Sequence, residues 1–128
     1  MKHIVEKMDD LYYAKAPFGE VILDTVIDLI KKTNTHKTSD IALLMDVPDR
    51  DLRGAFSILT GMTLRDVLLE WRFRQANELI LAGEMTKEQI ARKCGWWTAA
   101  SMNNAFENRC GRSIHEIYKL GRKYASAK

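Results

Sequence analysis

The sequence predicts an all-α protein of seven helices, arranged as two helix-turn-helix subdomains joined by a long linking helix. Three observations lead there. No segment alternates apolar and polar residues for long, and the two prolines are confined to Pro17 and Pro48. Helix-start and helix-stop residues recur along the chain. A block that begins at Ile41 returns, altered, from Ile90.

The elements follow in order. Residues 1–17 form an N-terminal arm, expected to be mobile. Helices near 19–33, 39–46 and 49–59 make the first subdomain, residues 18–63. The linking helix near 64–82 occupies residues 64–83. Helices near 87–94, 99–109 and 114–124 make the second subdomain, residues 84–128. Thr63-Leu-Arg-Asp66, Thr86-Lys-Glu-Gln89 and Ser113-Ile-His-Glu116 each have the form of a capping box, in which a hydroxyl accepts from a free backbone N–H of the first turn. Gly61, Gly83, Gly95 and Gly111 stand where a left-handed residue would end a turn.

At 128 residues, 46% hydrophobic and 29% charged, the chain has the composition of one globular domain, or of two very small ones that share an element. The net charge of +3 is unevenly spread. Residues 1–37 carry six basic and six acidic groups, residues 38–68 three and five, and residues 69–128 eleven and six, so net charge runs 0, −2, +5. A polyanion would be held mainly by the second half. No apolar run approaches the roughly 18 residues that span a bilayer, and MKHIVEKMDD lacks the apolar core of a signal peptide, so a cytoplasmic chain is expected. Cys94 and Cys110 form no CxxC pair and no metal spacing with His3, His36 or His115; both are expected to be buried free thiols. No glycine-rich phosphate loop or nucleophile elbow is present, so no cofactor or metal is implied and an enzyme has no supporting residues.

The repeat is the informative feature. IALLMDVPDRDLRGAFSILTGMT and IARKCGWWTAASMNNAFENRCGRS share Ile-Ala, then Ala-Phe, then Gly-x-Thr or Gly-x-Ser. The offset is 49 residues at Ala42 and Ala91 but 50 at Phe56 and Phe106, so one extra residue lies between the matching blocks, most simply in the second turn. In each unit a small residue (Ala42, Ala91) permits a close helix crossing and an apolar residue (Val47, Trp96) closes the turn. The second helix then buries Leu52, Ala55, Phe56 and Leu59, or Met102, Ala105 and Phe106, which leaves its opposite face free.

With these residues the chain resembles the DNA-binding domain of the AraC-type (AraC/XylS) transcription regulators over roughly residues 38–119. Ile41-Ala42, Leu52, Phe56 and Gly61 carry the resemblance in the first unit. Arg72, Ala76, Leu79 and Ile80 carry it in the linking helix, and Ile90-Ala91, Gly95, Trp96, Phe106 and Gly111 in the second unit. The resemblance implies a small stand-alone member, a bacterial regulator of transcription that binds double-stranded DNA as a monomer, with RNA polymerase as a further partner. Pro48 departs from the serine usual at the first recognition helix, Ala100 and Met102 from a small polar residue and phenylalanine, Ile114 from proline and Tyr118 from arginine.

A major groove about 12 Å wide admits one helix, and successive grooves on one face lie about 34 Å apart. A linking helix from Leu64 to Ala82 would be roughly 28 Å long at about 1.5 Å per residue. One chain could therefore place two recognition helices in successive grooves of an asymmetric site. The free face of the first would present Asp49, Arg50, Arg53, Gly54 and Ser57. Arg50 and Arg53 are suited to guanine; the bland alternative is a solvated face paired with Asp49 and Asp46. Gly54 either lets a DNA backbone come close or is merely tolerated. The second would present Thr98, Ala99, Ser101, Asn103, Asn104 and Asn108, with asparagine suited to adenine and Ala99 to a thymine methyl. Phosphates would fall to Arg72, Thr86, Lys87 and Arg112, against ordinary surface solubility for each. Trp96 is expected in the core. Trp97 is open between a rim aromatic on a neighbouring helix and a contact to sugar and phosphate. The competing function is a protein-interaction module that sequesters polymerase or another regulator without reading bases.

Overall fold

The computed structural model describes residues 8–111, 113–116 and 119. Seven helices are defined among them: α1 (Met8–Tyr12), α2 (Val21–Thr33), α3 (Thr38–Met45), α4 (Asp49–Thr60), α5 (Leu64–Ala82), α6 (Lys87–Lys93) and α7 (Ala99–Cys110). The packing divides the chain into two units between Trp71 and Arg72, within α5. The helix expected near 114–124 lies largely outside the described residues; helical backbone resumes at 114–116, where Ile114 is buried.

The first unit closes around Leu11, Leu23, Val26, Ile41, Phe56, Leu64 and Val67. α2 buries Leu23, Val26, Ile27 and Ile30, a three-and-four spacing that gives one apolar face. It stops at Asn34 and α3 stops at Asp46, both in the left-handed conformation that short polar side chains tolerate.

The N-terminal arm departs from expectation. Met8–Tyr12 is helical, with Leu11 fully buried. Five residues are too few for a helix to stand alone, so packing must hold it. The Tyr12 ring lies 4.9 Å from that of Trp71, and Lys31 Nζ donates to the Ala14 carbonyl at 3.0 Å. Further along, the Phe18 and Gly19 N–H groups donate to the Asp24 carboxylate at 2.8 and 3.0 Å.

The second unit has its own core of Phe73, Ala76, Ile80, Ile90, Ala91, Cys94, Met102, Phe106 and Ile114. α5 thus supplies Leu64, Val67 and Leu68 to one core and Phe73, Ala76 and Ile80 to the other. Thr86 closes a reciprocal capping box with Gln89 at the start of α6. Thr63 and Ser113 also accept from the backbone three residues on, at Asp66 and Glu116. Gly61, Gly83, Gly95 and Gly111 all have positive φ, as their positions predict. Cys94 is buried and free, whereas Cys110 is free but exposed, contrary to expectation. It follows Phe106 by four residues in the last turn of α7, on the margin of the buried stripe.

Candidate nucleic-acid interface

The two helix-turn-helix units share their backbone hydrogen bonding. Val47 N–H donates to Ala42 O at 3.1 Å and Trp96 N–H to Ala91 O at 2.8 Å. Gly61 N–H donates to Ser57 O and Gly111 N–H to Glu107 O, at 2.8 and 2.9 Å. Buried pairs match as well: Ile41 with Ile90, Ala42 with Ala91, Leu52 with Met102, Phe56 with Phe106. The second helix of each unit therefore turns an equivalent stripe inward.

On α4 that orientation leaves Arg50, Asp51, Arg53, Gly54, Ser57 and Ile58 exposed. Asp49 is half-buried and its Oδ2 pairs with Arg53 Nε at 3.1 Å, one helical turn on. This ion pair is the alternative raised for Arg53. It spends one guanidinium N–H on the chain while the side chain stays 54% exposed. Proline 48 provides no side-chain cap, so the first turn of α4 relies on Asp49 and Asp51 to face the positive end of the helix dipole.

On α7 the exposed residues are Ala100, Ser101, Asn104, Glu107 and Asn108, with Arg109 and Cys110 in the last turn. Thr98 caps the helix: its hydroxyl accepts from Ser101 N–H and donates to Ser101 Oγ, both at 3.0 Å. The first turn of α7 carries no acidic side chain.

The sequence matches the family model described as "Helix-turn-helix domain" over residues 41–119, well over half of the chain. The chain belongs to the AraC-type helix-turn-helix family. Its fold is similar to the C-terminal domain of AraT, a response regulator from Geobacillus stearothermophilus (TM-score 0.68, 19% identity, 82% of this chain and 88% of that one). It is also similar to a transcriptional regulator from Chromobacterium violaceum described as an AraC-type DNA-binding domain-containing protein (TM-score 0.65, 22% identity, 79% and 92% coverage). No curated protein matches the chain in sequence. Among the described residues, no helix is long and apolar enough to cross a membrane.

Within this AraC-type domain the expected site residues separate. Arg50, Arg53 and Ser57 share the exposed face of α4, and Ser101, Asn104 and Asn108 that of α7. Half-buried Asp49, paired with Arg53, does not join them, nor do two residues of α7. Asn103 is half-buried, its Oδ1 accepting Ile114 N–H at 3.0 Å and its Nδ2 donating to Glu107 Oε1 at 3.3 Å. Its amide oxygen braces the start of the next helical turn at Ile114, while its amide nitrogen is held by Glu107 of the same helix. Ala99 is half-buried, and the neighbouring Ala100 is the exposed small residue of that turn.

Arg72 also has a different setting from the one expected. Its Nε donates to Cys94 O at 2.9 Å and its Nη2 to Gly95 O at 3.1 Å. The guanidinium lies 4.4 Å above the Trp96 ring. Desolvation, partly offset by Cys94, lowers its pKa from the ordinary arginine value. The side chain thus fastens the linking helix to the end of α6. Thr86 and Lys87 stand exposed at the start of α6, and Arg92 and Lys93, which are not among the expected phosphate contacts, stand exposed at its end. Arg112 lies outside the described residues.

The adjacent tryptophans point apart. Trp96 is half-buried, its ring centroid 5.4 Å from Phe73 and 6.2 Å from Phe106. Trp97 is 90% exposed, which removes the reading of a rim aromatic packed on a neighbouring helix.

Proposed function

We propose that this AraC-type chain is a sequence-specific transcription regulator of the bacterial cytoplasm. α4 and α7 enter successive major grooves of an asymmetric promoter element, one monomer reads it, and RNA polymerase is the further partner. The observation that carries this reading is the repeated unit itself: twice, a helix buries one stripe on its partner and leaves polar residues of groove-reading type on the opposite face. Arg50 and Arg53 suit guanine; Asn104 and Asn108 suit adenine, and Ser101 either base. Asp49 steers Arg53 and does not itself read. Thr98, Thr86 and Lys87, with the N–H groups of the two helix starts, suit phosphates.

One observation favours a second reading, a protein-interaction module. The first unit is acidic where it would meet DNA, with Asp49 and Asp51 in the opening turn of α4 and one N–H of Arg53 held by Asp49.

Titration of the purified chain into a duplex selected from a random-sequence pool, with scrambled duplex in excess, separates the two. Specific binding with a log-affinity slope near −4.5 against log salt, for about five neutralised phosphates, supports the regulator. Equal affinity for both duplexes supports the interaction module. Arg53→Ala should cost about 1–3 kcal/mol on the selected duplex only, while Lys87→Ala weakens both alike and lowers the slope by about one.

A further inference from the structure

The second turn is one residue longer than the first, and the structure identifies the extra residue. Val47 and Trp96 are equivalent, because each N–H closes its turn onto the paired alanines at an offset of 49. Pro48 and Thr98 are equivalent as N-caps, at an offset of 50. Trp97 is what lies between. It has no counterpart in the first unit and no place in the core.

Its position is nevertheless well defined. On one side Trp96 is tied by its backbone bond to Ala91 and by its ring to Phe73; on the other the Thr98 hydroxyl caps α7. The exposed indole therefore sits at a fixed corner beside the opening of α7. Such exposure of a large ring forgoes the burial that its size would reward.

We infer that Trp97 is a contact to the sugar-phosphate backbone at the edge of the groove that α7 enters. The ring lies on deoxyribose and Nε1–H donates to a phosphate oxygen. This inference rests on the proposed DNA-binding function.

The surroundings favour an anion over a protein surface. The opening turn of α7 has no acidic side chain, in contrast to Asp49 and Asp51 on α4, so the positive end of its dipole is uncompensated. Arg92 and Lys93, both exposed, close α6 just before the turn, and the sequence from residue 69 onward is +5. A protein partner would need more apolar surface around the ring. The exposed residues beside Trp97 in sequence are Gly95, Thr98, Ala100 and Ser101; of the large apolar side chains exposed among the described residues, Leu81 shares its unit, whereas Leu43, Leu44, Val47 and Ile58 belong to the other. An indole, apolar in body and with one N–H donor at its edge, suits a surface that alternates sugar and phosphate.

The test combines acrylamide quenching with duplex titration. Trp71 and Trp96 are half-buried, so quenching of the intact chain reports mainly on Trp97. Saturating duplex should protect it. Trp97→Ala should melt like the parent chain and lose about three- to tenfold affinity on selected and scrambled duplexes alike, as expected when part of an indole is no longer covered. Its salt slope should stay that of the parent, because no cation is removed. Trp97→Phe should fall between the two.

Parental affinity of Trp97→Ala, or unchanged quenching while the parent chain binds DNA, would overturn the contact and leave DNA binding standing. So would a loss confined to the selected duplex, which would make the residue a base reader, or a change in sedimentation of the free protein, which would make it a self-association surface. Failure of the parent chain to bind any duplex would remove the DNA-binding function itself, and the contact with it.

Discussion

Arg72→Ala separates structure from recognition most sharply. The substitution removes two charge-assisted hydrogen bonds, to Cys94 O at 2.9 Å and Gly95 O at 3.1 Å, and the guanidinium 4.4 Å above Trp96. A hydrogen bond from a charged group contributes roughly 1.5–3 kcal/mol, and a partly desolvated cation over an indole about 1 kcal/mol. Gly95 is exposed, so water can replace the donor there; Cys94 is buried and its carbonyl is less easily rehydrated. The larger loss therefore falls on the Cys94 bond, and the sum is about 2–4 kcal/mol for the second unit. Urea unfolding followed by near-ultraviolet circular dichroism, which senses the Trp96 environment, measures it. Arg72→Lys should recover less than half, because an ammonium cannot serve both carbonyls and the indole face with one planar fork. A phosphate contact would behave in the opposite way: unchanged unfolding, and a salt slope of DNA binding reduced by about one. That result would refute the assignment of Arg72 to the internal frame.

Trp96→Ala should destabilise the second unit by about 3 kcal/mol, since the ring packs with Phe73 and Phe106 and supports Arg72; chemical denaturation checks it. Gly54→Ala should stabilise the first unit by roughly 0.5–1 kcal/mol, because the glycine is helical and an added Cβ would meet only open space. The same variant should bind duplex DNA more weakly if that space is where the groove wall approaches, and titration beside the urea midpoint reads both effects. Burial pushes the Cys94 thiol up from 9.0 to about 11, against the pull of Lys93 and Arg72. The folded state keeps the proton that the unfolded chain releases, so this contribution is complete below pH 9 and is lost as pH rises toward about 11, by up to roughly 2–3 kcal/mol. Comparing alkaline unfolding of the parent chain with Cys94→Ala isolates it. Native-state thiol labelling should modify exposed Cys110 first and Cys94 only on unfolding.

Much of this protein was legible in the chain because its signals are local. The bounds of α5, Leu64 to Ala82, follow from a threonine cap before it and Gly83 after it, and a helix start depends only on the few residues that can reach its free N–H groups. The repeat exposed the architecture for the same reason: each unit buries a stripe whose spacing is written in consecutive turns. What tertiary structure alone decided concerns side chains with more than one possible partner. MDDLY contains no periodicity long enough to announce a helix, and only the core that receives Leu11 orders it. Arg72 carries the same charge whether it meets a phosphate or the carbonyls of residues 22 and 23 positions away, and folding brought the carbonyls. Asn103 could read a base or cap a distant N–H, and Ile114 supplied the N–H. Trp96 and Trp97 are chemically identical neighbours; the backbone bond from Trp96 to Ala91 put one ring among Phe73 and Phe106, and the extra residue in the turn left the other in solvent.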